Sequence, residues 1–113
     1  MESGLAIKAL GALAQDHRLQ AFRRLVQAGG DGLAAGALAE ALGVPNSSLS
    51  FHLAQLSHAG LIMQQRVGRS LIYRADFEAM NALVGYLMEN CCGGAGCASA
   101  SPFSPHTEER SAA

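Results

Sequence analysis

Residues 35–62 hold two short apolar repeats separated only by Gly43-Val44-Pro45, and that spacing constrains the fold more than any other feature of the sequence. Leu38 and Leu42 sit four apart in an alanine-rich segment that stops at Gly43. Pro45 cannot continue a helix but readily precedes a new one. The stretch Asn46 to Ala59 then puts Leu49, Leu53 and Leu56 on one side at helical spacing, which leaves Ser47, Ser48, Phe51 and Gln55 facing roughly outward. Gly60 ends this helix. Leu61 to Val67 and Ser70 to Ala75 read as two strands around Gly68-Arg69, a two-residue turn with glycine in its first position and an arginine at its tip.

The flanking segments read as helices. Leu5, Ile7, Leu10 and Leu13 give a loosely helical opening, weakened by Gly11. Asp16 is placed to cap a second helix with Leu19, Phe22, Leu25 and Val26 as its apolar stripe; Arg18, Arg23 and Arg24 stay largely outside, and Gly29 and Gly30 end it. Asp76 caps a last helix, reaching Asn90, with Phe77, Met80, Leu83, Val84 and Leu87 on one face; Gly93, Gly94 and Gly96 break it. Met63, Met80 and Met88 fall within apolar patterns and read as core or interface filling. Residues 1–90 therefore form one folded domain, 91–98 a cysteine-rich segment, and 99–113 a tail whose Ser, Pro and acidic content predicts disorder.

With 113 residues, half of them apolar, the chain can bury a small core, and a dimer is plausible from size alone. No leader pattern or apolar run approaches the ~20 residues of a membrane span, so a soluble, cytoplasmic protein with no membrane partner is expected. The net charge of −1 argues weakly against nucleic acid. Its distribution changes that reading: residues 1–75 carry seven Lys/Arg against four Asp/Glu, and residues 76–113 carry one against five.

Two short helices, a tight turn and a hairpin make a winged helix-turn-helix: a mainly α fold with a small β-hairpin, whose second helix enters the DNA major groove. Asn46 to Ala59 is that helix. Ser47, Ser48 and Gln55 can hydrogen-bond to base edges or phosphates, and Arg69 can reach the neighbouring backbone or minor groove. Any one of these residues, taken alone, reads as readily as a solvated or helix-capping side chain; the ordered set of elements shifts the reading.

From Leu13 to Ala75, the segments LAQDHRLQAFRRLV, ALAEALGVPNSSLSFHLAQLSHAGLI and VGRSLIYRA resemble the ArsR/SmtB family of metal-responsive repressors. SSLSFHLAQLSHAGL looks like that family's recognition helix, with Ser47, Ser50, His52 and Leu53 in characteristic positions. The resemblance implies a homodimer, not an enzyme, that binds a palindromic double-stranded operator through residues of the helix beginning at Asn46. Phe51 departs from the pattern, which favours a polar or basic residue; it can touch a thymine methyl or pack on a neighbour. His52 reads as a phosphate contact or a structural histidine before it reads as a metal ligand.

The family's inducer sites vary in position. Residues 34–42 lack the cysteines that its arsenic sensors often carry there, and Asp76 to Asn90 lacks the histidines of its zinc sensors. Cys91, Cys92 and Cys97 remain, in a glycine-rich segment that resembles the carboxy-terminal site of an arsenic-responsive subgroup. Three clustered thiols in seven residues suit neither a disulfide framework nor a secreted fold. Soft thiolates select soft ions, and three of them match As(III), whose lone pair takes the fourth direction, whereas structural zinc wants four ligands and the later His106 lies in the tail. The glycines let one thiolate return to the other two. Antimonite, Sb(III), is an alternative that the sequence does not order against arsenite, methylarsenite needs only two thiols, and an exposed thiol redox switch or reductase is a separate reading, although no base or oxyanion pocket is evident. A flexible tail with incidental thiols is the plainest alternative.

Overall fold

The structure, a computed structural model, describes residues 1–94. Among these residues there are five α-helices, α1 (Ser3–Leu13), α2 (Asp16–Ala28), α3 (Ala35–Leu42), α4 (Asn46–His58) and α5 (Phe77–Leu87), and three strands, β1 (Leu33–Ala34), β2 (Ile62–Val67) and β3 (Ser70–Ala75). The strands form an antiparallel sheet in the order β1-β3-β2. The hairpin expected from the sequence is present with Val67 opposite Ser70 and Ile62 opposite Ala75. Gly68 takes a positive φ of 63° while Arg69 does not, the pattern of a glycine-first two-residue turn. No helix among the described residues is long and apolar enough to cross a membrane.

Side chains from α2, α3 and α4 meet in one core. Leu25, Leu38, Leu49, Leu53, Leu56 and Leu61 are almost wholly buried, and among the described residues no polar or charged residue is buried. Each such leucine contributes ~1.5–3 kcal/mol relative to exposure. Leu49, Leu53 and Leu56 are the stripe read from spacing. Asp76 caps α5 as expected, accepting the Ala79 amide at 3.1 Å, and its own amide donates to the Leu61 carbonyl at 2.8 Å, tying α5 to the exit of α4.

Several local expectations are corrected. In α1 the buried residues are Ala6, Ala9 and Ala12, whereas Leu5, Ile7 and Leu10 are 53%, 69% and 41% exposed. The small side chains recur at three-residue steps and let α1 lie close against the body. In α2 the cap is Gln15, whose side chain accepts the Arg18 amide at 2.9 Å, while Asp16 accepts from Gln20. Leu19 is exposed and Ala21 takes its place inside. Arg18 is half-buried, its Nε donating to the Ala12 carbonyl at 2.6 Å. Met80 packs against the core, but Met63 and Met88 are exposed. The last helix ends at Leu87, short of Asn90, which itself takes a left-handed φ of 56°.

The sheet also has a strand that periodicity did not announce. Leu33 and Ala34 pair with Tyr73 and Ile72. Two residues carry no readable period; what fixes them is Gly32, at φ 66°, where a Cβ would collide with the Tyr73 carbonyl oxygen. Arg74 closes the same junction, donating from Nε to the Gly30 carbonyl at 2.6 Å and from a terminal nitrogen to Gln65 Oε1 at 2.5 Å. Gly36, by contrast, has open space around its missing Cβ and helical backbone. Gly32→Ala is expected to destabilise the fold by ~2–4 kcal/mol, through steric overlap and a strained φ. Gly36→Ala is expected to be neutral or to stabilise by up to ~1 kcal/mol. Urea denaturation of the two variants measures the contrast.

Candidate nucleic-acid interface

The outward side of α4 follows from the inward one. With Leu49, Leu53 and Leu56 held in the core, Asn46, Ser47, Ser48, Ser50 and Phe51 are exposed and Gln55 is half-buried. Pro45 precedes the helix at φ −64° and ψ 151° and offers no side-chain cap, and the first turn carries no acidic residue. The leading amides thus face outward beside three serine hydroxyls, an arrangement that accepts an anion at the positive end of the helix dipole. Phe51 is 59% exposed and meets the His52 ring edge-on at 5.8 Å.

His52 occupies a different environment from its neighbours. It is half-buried, its ring centroid lies 5.6 Å from that of His17 at the start of α2, and its Nδ1 is sealed from solvent without a hydrogen-bond partner among the described residues. Burial, followed by the charges of Arg18 and His17, lowers its pKa below the ordinary 6.5. His52 is therefore neutral at pH 7 and fastens α4 to α2; only Nε2 remains to meet a phosphate. Among the described residues, no three His, Cys, Asp or Glu side chains group as metal ligands.

The cations divide into two sets. Arg18 and Arg74 are spent on backbone carbonyls, while Lys8, Arg23, Arg24, Arg66 and Arg69 are exposed. Arg69 stands at the wing tip as expected. Arg66, on the outward half of β2, was not singled out from the sequence, because its side is evident only once the strand register is known. The same holds for Ser57, His58, Gln64 and Tyr73, which line a cleft between α4 and the sheet.

Beyond α5, after the three residues Met88, Glu89 and Asn90, come Cys91 and Cys92. Their sulfurs are 3.6 Å apart, Cys91 half-buried and Cys92 exposed. Left-handed backbone at Asn90, Cys92 and Gly93 curls this segment tightly, with the Cys91 amide donating to Met88 and the Gly93 amide to Asn90, each at 3.0 Å. Cys91 is disulfide-bonded in this structure, so its sulfur can join Cys92 as a ligand only after reduction. Cys97, Gly96, His106 and the tail from residue 99 lie outside the described residues.

Residues 13–65 match the model of a helix-turn-helix domain family. Over 77% of this chain and 81% of its own, the structure of the homodimeric winged helix-turn-helix DNA-binding domain of Mb0332 from Mycobacterium bovis is 30% identical, with a TM-score of 0.61. An ArsR-like transcriptional regulator from Rhodococcus sp. RHA1 superimposes with a TM-score of 0.65 at 26% identity, over 75% of this chain and 77% of that one. The chain belongs to the ArsR-like winged-helix family. The HTH-type transcriptional regulator YgaV of Escherichia coli K12 is 36% identical over 64 residues, which span 57% of this chain and 65% of YgaV. In this ArsR-like chain, α3 and α4 are the helix-turn-helix, and β2 and β3 are the wing.

The histidine's lowered pKa fixes the sign of a pH effect. An unfolded His52 binds a proton near 6.5 and the folded one only at lower pH, so the folded state loses stability as pH falls below about 6.5 and is unpenalised above it. His52→Gln removes that titration. Thermal midpoints measured at pH 8 and pH 5.5 are expected to fall more on acidification for the wild type than for the variant.

Proposed function

We propose that this chain is a transcriptional repressor that binds operator DNA as a homodimer and releases it when As(III) is bound by Cys91, Cys92 and Cys97. The observation that carries this reading is the pairing, within one ArsR-like domain, of an outward-facing α4 with two cysteine sulfurs 3.6 Å apart, three residues beyond α5. Asn46, Ser47, Ser48, Ser50, Phe51 and Gln55 present the groove-facing surface, His52 contributes through Nε2, and Arg69 reaches the flanking backbone or minor groove.

Two features support the dimer. Leu5, Ile7, Leu10, Leu87 and Met88 leave large apolar side chains exposed on α1 and at the end of α5, and α1 packs against α5. Such a surface is stable in water when a second copy covers it. The homodimeric Mb0332 domain has the same fold. Because the thiols adjoin α5, an ion drawn in there acts on the proposed interface, and so on the spacing of the two α4 helices. Couplings of this kind are typically ~1–3 kcal/mol.

Sb(III) satisfies the same three thiols. Methylarsenite is a second reading: once Cys91 is reduced, the adjacent pair would supply the two sulfurs it requires. Structural zinc fits this donor set less well, since three thiolates leave its fourth position unfilled.

Operator-fragment anisotropy under reducing conditions tests the inducer. Arsenite is expected to weaken wild-type binding by tenfold or more, and single Cys91→Ser, Cys92→Ser and Cys97→Ser variants to bind DNA normally but ignore it. DNA binding that is indifferent to arsenite in the wild type overturns the inducer assignment. If Cys97→Ser still responds to methylarsenite, the two-thiol reading replaces the three-thiol one. The dimer has its own test. Ile7→Asp, at a position 69% exposed in the single chain, is expected to sediment as a folded monomer and to bind the operator on the order of 100-fold more weakly.

A further inference from the structure

A cleft of about 230 Å³ separates α4 from the wing. Its polar lining consists of Ser50, Ser57 and His58 on the helix and of Gln64 and Tyr73 on the sheet. The helix residues recur at the spacing of one face, 50, 57 and 58, with Leu53 behind them in the core. On the sheet, Gln64 lies directly opposite Tyr73, and the pair shares a face with Ile62 and Ala75, which are 5% and 1% exposed. The hairpin face that packs on the body at its base therefore turns polar as it leaves the core. The next residue outward on that face of β2 is Arg66.

The chemistry of the lining is one-sided. Three hydroxyls, an amide and an imidazole can all donate, no carboxylate lines the cleft, and among the described residues none of these five side chains is engaged in a hydrogen bond. The opposite face of the same hairpin differs, since there Gln65 is already held by Arg74. A concave set of unengaged donors with a cation at its rim is suited to a singly charged tetrahedral oxyanion. When α4 lies in the major groove and the wing over the adjacent minor groove, the strand between the two grooves crosses this cleft.

We propose that the cleft seats one phosphodiester of the bound duplex, with Ser57, His58, Gln64 and Tyr73 donating to its oxygens and Arg66 approaching from the rim. This deepens the operator-binding reading and rests on it. The seat fixes the register of the helix relative to the wing and reads no base, so its contribution is the same on every sequence.

The test is a chemical double-mutant cycle by fluorescence anisotropy on the full-length dimer. Tyr73→Phe and Ser57→Ala remove donors with little change of volume; thermal midpoints check that both variants fold. Each is expected to weaken binding to an operator fragment and to an unrelated duplex by a similar factor, about tenfold, with the salt dependence unchanged. Arg66→Ala is expected to lower the salt slope by about 1. Neutral methylphosphonate is then placed at successive positions of the fragment. One position is expected to cost the wild type affinity but to cost Tyr73→Phe and Ser57→Ala little more than they have already lost.

Wild-type binding with strictly additive losses at every position overturns the phosphodiester seat and leaves operator binding standing. No wild-type binding to any duplex overturns both. If inorganic phosphate shifts the Tyr73 and His58 resonances of the protein without DNA while the cycle remains additive, the cleft is a small-anion site and the duplex assignment falls.

Discussion

Burial of Leu49, Leu53 and Leu56 holds α4 in one rotational setting, and every functional statement about the helix depends on that setting. A helix turns 100° per residue, so a change of setting by one position would draw serines into the core and expose leucines. Truncating one of these leucines costs ~2–5 kcal/mol, a large share of what a domain this size has to spare. The outward row from Asn46 to Gln55 is thus specified by what lies behind it. His52 adds a second fixing point against His17, and the Leu61–Asp76 hydrogen bond carries the constraint from the exit of α4 to the start of α5.

The ends of the domain follow a different rule. In α1 the monomer buries alanines and leaves Leu5, Ile7 and Leu10 in solvent, which inverts the expectation that the largest apolar residues lie inside. Alanines at three-residue steps allow close helix approach but bury little area each, so the second copy proposed above would add to the stability of α1 and α5 by covering the leucines and Ile7. A proposed interface built this way is easily biased from just beyond α5, where the cysteines sit.

The central elements were legible because each is marked by its own chemistry. Gly43 and Pro45 delimit α3 and α4, a leucine period orients α4, and Gly68 forms a turn that its φ confirms. Features created by tertiary contact were not legible. The two-residue β1 exists because Gly32 lets the chain approach Tyr73, and the true cap of α2 is a glutamine where an aspartate one residue later looked the better acceptor. Arg18 reads as surface charge yet donates to the Ala12 carbonyl, and Arg74, which the sequence did not single out, donates to the distant Gly30 carbonyl. The wing cleft brings α4 and β3 side chains together across a register that no linear spacing reveals. Of the cysteine site, the Cys91–Cys92 pair stands three residues beyond the end of α5 and not immediately after it, and Cys97 is outside the described residues.

If the thiols beyond α5 and the face of α4 are coupled, the coupling must be reciprocal, because both ligands act on one equilibrium. The most direct measurement is the affinity of the protein for arsenite by calorimetry, under reducing conditions, once with the protein alone and once saturated with its operator fragment. The account predicts that DNA weakens arsenite binding by the same factor by which arsenite weakens DNA binding. Equal arsenite affinities in the two titrations would contradict it.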